Sequence, residues 1–542
     1  MRRIVDFLKR ERAPWLLAAA ASLCLSVVAV WWGGLNQDEG WYLYAAQMVR
    51  SGWLPFHDIF YTQGPAMPFV YSVFAPVWGP DSPLRGLLGG RIVTLVLGFL
   101  ATFCAVALVR RLVPPGRRNV AGVAVFALLG CNVYHLYFTA IPKTYSLGSL
   151  FVLAGLLLVA RALTPLGSGP FRGGWRANMA LFSGGLSLAF ATGTRISLLL
   201  ILPVAGFTLL LRFRDLRWSF LWFGLGGMAG LFLTYGLFAL DPVSLRSLLA
   251  AQNDHAARGG FDPFFAVGSV SRLARGYAAL GTVLFATAFL RGSAAPAGDG
   301  DACCPGRSAV LWILGLGFAS VFALQLSAPY PYDDYQVPVM GMLTVLIVVW
   351  YARRSASAGA GWFAVLAACL VSFASPLLQE WATYGQDRFW SARKEMTELA
   401  KLRAVGREIE AVDPDGKTLF TQDLYLAIET GRTVPRGMEM GPFCYFPDMK
   451  TEDARAVHVL NRELMTELVR SAPCGVAACS GYAFAIAAPS CAEVPFDEQK
   501  SFFEELRRNY RFVVTEPKFG QNATTLLVLA KREAGSGKEV RP

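Results

Sequence analysis

The chain has 542 residues, of which 54% are hydrophobic and only 16% charged, against roughly a quarter charged in soluble domains, so a wholly soluble protein is excluded. The formal charge of +12 does not mark a nucleic-acid partner: residues 1–379 hold 28 Lys/Arg against 14 Asp/Glu, and 380–542 hold 22 against 24. The excess lies wholly in the apolar half, where basic residues set topology.

In chain order, residues 1–13 carry five basic residues and precede Trp15–Leu35, 21 residues without a charge. That run is long enough to cross about 30 Å of hydrocarbon. It exceeds a signal-peptide core and lacks a small-residue cleavage pattern, so it reads as a retained helix with the N-terminus in the cytoplasm. Further apolar runs at 92–109, 120–138, 145–160, 178–194, 196–211, 218–240, 277–290, 308–327, 337–351 and 361–378 bring the predicted spans to eleven. Alternation from a cytoplasmic start places 19 of the 28 basic residues inside, including Arg110, Arg111, Arg212, Arg214, Arg353 and Arg354. It leaves nine acids outside: Asp38, Glu39, Asp58, Asp81, Asp241, Asp254, Asp262, Asp333 and Asp334. The outer face is therefore the expected working face, and its main loops are 36–90, 241–276 and 328–336.

An odd span count also puts the tail outside. Residues 380–532 predict a small α/β domain: helices at 387–411, 452–471 and 496–509, a turn at Asp413–Gly416, and strands at 418–421, 511–515 and 524–530. Residues 533–542 read as a disordered tail. Four of the ten cysteines, Cys444, Cys474, Cys479 and Cys491, lie in this domain. Outside the cytoplasm they would suit two disulfides, with three pairings open. The predicted fold class is a polytopic α-helical membrane domain, 1–379, with a C-terminal extracytoplasmic α/β domain.

The stretch Asn36–Pro65 sets Asp38, Glu39 and Asp58 among aromatic residues beside a membrane, where carboxylates are costly. Its pattern runs Asp38-Glu39-Gly40-Trp41-Tyr42, Arg50-Ser51-Gly52-Trp53-Leu54-Pro55, Asp58-Ile59-Phe60, Gln63-Gly64-Pro65, then Phe74, Trp78-Gly79 and Arg91. It resembles the first extracytoplasmic loop of the GT-C glycosyltransferase superfamily, and more closely the bacterial members akin to protein O-mannosyltransferases and the lipid A aminoarabinose transferase. The resemblance implies transfer of a sugar, with inversion, from a polyprenyl-phosphate carrier to a glycan, lipid or protein acceptor at the outer face of a bacterial inner membrane. The Trp-Trp-Asp signature of oligosaccharyltransferases is absent, and no β-trefoil-sized insertion separates the spans, so transfer to protein is not favoured.

Such a reaction needs a base for the acceptor hydroxyl and cations for the lipid phosphate that leaves. By resemblance Asp38 is the base, Glu39 assists it or holds the loop, and Asp58 positions acceptor or sugar. Arg195, between two apolar runs with no loop around it, and Lys143, in Ile141-Pro142-Lys143-Thr144-Tyr145, are the candidate phosphate ligands. Tyr332, Asp333, Asp334 and Tyr335 resemble the aromatic segment that opens a late span near the site in such enzymes. Gln63 and His255 complete the candidate substrate contacts. Asp38 and phosphate are both hard oxygen ligands, so Mg or Mn is a candidate cofactor; the residues contain no metal motif. The rival readings are a transporter, which would carry its charges at mid-membrane, and a membrane scaffold that presents the tail for binding.

Overall fold

The structure is a computed structural model that describes residues 12–164, 174–212, 217–256, 263–289, 305–328, 332–354, 362–373 and 396–532, apart from 483 and 489. The basic residues 1–11, Asp262, Cys303, Cys304, the segment 380–395 and the tail 533–542 lie outside them. Within the described residues each predicted apolar run falls largely on helix. Among the described residues six helices are long and apolar enough to cross a membrane on their own: Ala13–Trp32, Leu87–Leu112, Thr144–Leu163, Phe220–Ala239, Pro305–Leu326 and Asp334–Arg353. A seventh forms if the bent pair Pro115–Gly130 and Val133–Ala140 counts as one. Among the described residues six or seven of the eleven expected crossings therefore meet both requirements, beside shorter apolar helices at Ile196–Leu211, Gly276–Ala286 and Trp362–Phe373. The protein is a multi-pass membrane protein.

Two helix starts differ from the sequence reading for one reason. A charge interrupts an apolar run on paper, yet helix Leu87–Leu112 begins before Arg91 and helix Pro263–Phe289 begins before Arg272 and Arg275. A break in the bundle matters more for the site. After Gly130 the chain bends by 66°, and Asn132 caps the second half by accepting from the His135 N–H at 3.2 Å. The short helix Val133–Ala140 then delivers Ile141-Pro142-Lys143 to the head of helix Thr144–Leu163.

The region expected as a first outer loop is built of helices, Gln37–Arg50 and Ala66–Phe74. Over it sits the C-terminal domain. Its sheet has the order β1-β2-β4-β3, with β1 Leu419–Phe420, β2 Val476–Ser480, β3 Tyr510–Phe519 and β4 Thr524–Lys531. β1 runs parallel to β2 and the other pairs are antiparallel. Strand β2, VAACS, is buried throughout and carries no alternation to betray it. The expected helix 452–471 is two, Thr451–Ala456 and Arg462–Ser471. The chain turns at His458, whose φ is +60°, and Asn461 caps the second helix. The expected disulfides are absent: Cys444, Cys474, Cys479 and Cys491 are free thiols. Cys444, Cys474 and Cys479 are buried and Cys491 is half-buried, with Cys479 inside β2 opposite Leu527 and the Cys444 thiol on the Gly441 carbonyl.

The domain meets the first loop at close range. The Gln37 N–H donates to Gln521 Oε1 at 3.0 Å, and the Val434 N–H donates to the Tyr44 hydroxyl at 3.0 Å. Trp41 lies edge-on to Phe443, and Phe60 edge-on to Phe446. At Gly40 a Cβ would stand 2.3 Å from the Tyr425 backbone nitrogen, so only glycine permits this approach.

Candidate active site

Asp38 stands in the first turn of helix Gln37–Arg50, whose N-terminus is closed by a capping box: Asn36 accepts from the Asp38 N–H, and Glu39 accepts from the Asn36 N–H. Adjacent helical residues point about 100° apart, and here that angle separates two roles. Glu39 turns inward, where Arg91 Nε and Nη2 each donate to it at 2.8 Å. Arg91 also donates to the carbonyls of Val30, Gly33 and Gly34, and both side chains are wholly buried. Of the two roles expected for Glu39, the surroundings fit holding the loop.

Asp38 turns the other way. Its Oδ1 accepts from Trp41 Nε1 at 3.2 Å, and its Oδ2 lies 2.8 Å from Lys143 Nζ. Lys143 reaches on to Asp334 Oδ2 at 3.0 Å, and the Tyr145 hydroxyl donates to that same oxygen at 2.7 Å. The Tyr145 ring faces both cations, with Lys143 Nζ 5.0 Å and the Arg195 guanidinium 5.1 Å from its centre. Arg195 also lies 4.6 Å from the centre of the Tyr335 ring and donates to the Thr144 hydroxyl at 3.4 Å. Tyr42 lies within electrostatic reach of Asp38, Lys143 and Arg195; burial, and next to it Asp38, push its hydroxyl above the usual range and keep it a donor.

Helix breaks make this convergence. Pro142 disfavours helix at Ile141, and Lys143 is extended ahead of Thr144. Arg195 is extended between helix Trp175–Thr194 and the 3-10 turn Ile196–Leu200. Asp334 lies in the 3-10 turn Asp333–Gln336 that opens helix Val337–Arg354. Gly64 seals the wall: a Cβ there would stand 2.1 Å from the Gly193 carbonyl oxygen, two residues before Arg195.

The structure thus brings together Asp38, Lys143, Arg195, Asp334 and Tyr335, with Tyr332 packed on Tyr335 at 5.5 Å. Asp58 is elsewhere. Its carboxylate accepts from the Leu54 N–H at 2.7 Å and pairs with His57 Nδ1 at 3.1 Å, and His57 faces Asp241 at 3.9 Å. Desolvation pushes the Asp58 carboxyl up, but the Leu54 N–H and His57 together outweigh it and hold the group below its usual range. This second group ties the first loop to the C-terminal domain, because His458 Nε2 lies 2.7 Å from the His57 carbonyl oxygen. The side chains of His255 and Asp333 lie outside the described residues, and Gln63 is half-buried beside Gly64. Tyr145, Trp41 and Tyr42 join the cluster although the sequence did not single them out. Trp41 and Tyr42 stood in the pattern that carries the resemblance, without a role of their own, and Tyr145 stood only as an aromatic residue beside a cation at a span end, a signal that aromatic belts share.

By structure the chain matches ArnT from Cupriavidus metallidurans bound to undecaprenyl phosphate, with a TM-score of 0.58 and 14% identity over 97% of this chain and 100% of that one. The same protein in the apo state matches with a TM-score of 0.56 and 14% identity, over 95% and 97% of the two chains. The chain shares the fold of this ArnT. An oligosaccharyltransferase of Archaeoglobus fulgidus in the apo form also aligns, with a TM-score of 0.49 and 11% identity, over 99% of this chain and 76% of that one. By sequence, no family model and no curated protein matches.

At this site the described residues do not suit a divalent cation. Among the described residues no group of three or more His, Cys, Asp or Glu converges. The place that Asp38 and Asp334 could offer a metal is taken by the Lys143 ammonium, 2.8 and 3.0 Å from them.

Proposed function

We propose that this protein is a membrane glycosyltransferase that moves a sugar from a polyprenyl-phosphate carrier to the hydroxyl of a glycan or lipid acceptor, on the side of the membrane away from the cytoplasm. The observation that carries the reading is the Asp38, Lys143, Asp334 and Arg195 cluster, set under a covering domain at one end of a GT-C bundle. In the reaction the acceptor oxygen attacks the anomeric carbon as Asp38 takes its proton. The bond from that carbon to the phosphate oxygen breaks on the opposite face, so the product is inverted. The carrier leaves as a phosphate monoester with one more negative charge than the diester it came from. Lys143 and Arg195 receive that charge at a depth where water stabilises it poorly. Tyr145 and Tyr335 hold the guanidinium face.

The experiment is Asp38→Asn in the full-length protein, assayed with a panel of polyprenyl-phosphate sugars. Loss of a positioned general base is expected to slow transfer about 10²–10⁴-fold while the variant purifies and unfolds like the parent. Undiminished transfer would remove Asp38 from the role of base. A parent protein inert toward every lipid-linked donor would remove the function itself.

A further inference from the structure

The two cations of the cluster are held in unlike ways. Arg195 rests on aromatic faces and a hydroxyl, contacts that an incoming anion leaves intact. Lys143 is already paired, with Asp38 on one side and Asp334 on the other, and its side chain is only 7% exposed. The two acids are not equivalent either. Asp334 Oδ2 also receives the Tyr145 hydroxyl, and its side chain is 12% exposed; among the described residues Asp38 keeps only the Trp41 indole besides Lys143, and is 26% exposed. Of the two ion pairs, the Asp38 pair is the one with less additional support and better access to a ligand. The oxygen it occupies, Oδ2, is also one that the proposed base would need free.

We infer that the donor phosphate and Asp38 compete for Lys143, so that binding of the lipid phosphate releases the base. The inference rests on the function proposed above. A phosphodiester brings one negative charge. Docked against Arg195, it replaces the Asp38 carboxylate as the second anion on Lys143, while Asp334 and Tyr145 keep the ammonium in place. Asp38 Oδ2 is then open to the acceptor hydroxyl, and the Trp41 N–H still orients the carboxylate through Oδ1. Without donor, Asp38 stays closed by the lysine, which gives the reaction an order: lipid donor first, acceptor second. When the carrier leaves, Lys143 and Asp38 pair again, which helps to expel it.

The test is a double-mutant cycle on the binding of undecaprenyl phosphate to the full-length protein in detergent, by calorimetry, using the parent, Asp38→Asn, Lys143→Met and the double variant. Asp38→Asn frees the lysine and is expected to bind the lipid phosphate about tenfold tighter than the parent, a factor worth ~1.4 kcal/mol. Lys143→Met is expected to bind more weakly, and adding Asp38→Asn to it should change nothing further. If Asp38→Asn tightens binding equally with and without the lysine, its effect is plain charge repulsion and the exchange is overturned. If it tightens nothing, the exchange is overturned as well. Should Lys143→Met not fold, Lys143→Gln replaces it in the same cycle. Absence of binding in all four proteins would overturn the lipid-phosphate reading, and the exchange with it.

Discussion

Arg195 shows how much one charged residue can reveal. An arginine between two apolar runs costs roughly 2.5–3.5 kcal/mol to insert unless it is paired or snorkels, and that cost made it conspicuous in the sequence. Its surroundings were invisible there: the ring faces of Tyr145 and Tyr335 lie 5.1 and 4.6 Å from the guanidinium, and one of them comes from a helix 140 residues further along the chain. Guanidinium stacks on aromatic faces and offers a planar fork to phosphate, whereas an ammonium does neither. Arg195→Lys is therefore expected to raise the donor KM about tenfold, the loss of one stacked, charge-assisted contact, with a smaller change in kcat. Donor saturation curves at fixed acceptor measure the split. An unchanged KM would mean that Arg195 only ties its helices together. For Asp38 and Glu39 the sequence showed a pair without a division of labour. That division follows from helix geometry, which sends one carboxylate to Lys143 and the other to Arg91.

At the scale of elements, the helix Gln37–Arg50 was written in the sequence but read for another meaning. Asn36 followed three residues later by Glu39 is a helix-start signature, and the same Glu39 belongs to an acidic pair that also reads as chemistry. The apolar runs, in contrast, were legible because their signal is local. The broken span was not, since nothing in Gly130-Cys131-Asn132 fixes an angle of 66° without the helices that pack around it. The Arg91–Glu39 pair now explains why the loop helix is fixed to the bundle: one guanidinium binds a helix-capping carboxylate and the three carbonyls at the end of the first span. Arg91→Met would leave the Glu39 charge buried and unpaired, at a cost of about 3–5 kcal/mol. The expected result is a marked drop in the thermal unfolding temperature, with much of it restored by Glu39→Met in the same chain. A single variant as stable as the parent would show that the pair does not hold the helix.

For the whole molecule, the sequence foretold a membrane half and an α/β half, but not that the second covers the working end of the first. Such docking depends on contacts between residues hundreds of positions apart, Gln37 with Gln521 and Tyr44 with Val434, which no periodicity encodes. Gly40 is where this coupling can be tested. It sits two residues after Asp38, and a Cβ there would stand 2.3 Å from the Tyr425 nitrogen and 2.7 Å from the Leu424 carbonyl carbon. Both are backbone atoms, so no side chain can swing aside. Helix propensity favours alanine over glycine by about 1 kcal/mol, whereas overpacking of this kind costs about 1–3 kcal/mol, so the clash should win. Gly40→Ala is expected to push the C-terminal domain and the loop helix apart. Unfolding would come at lower temperature, and transfer would fall by as much as about 10²-fold, because an ångström of displacement at a positioned base is enough for that. Gly281→Ala is the control, since a Cβ at Gly281 meets nothing within 4 Å and only the helix-propensity gain should appear. If Gly40→Ala behaves like Gly281→Ala in both unfolding and transfer, the domain does not set the position of Asp38, and the covering half of the molecule acts on the site only by enclosing it.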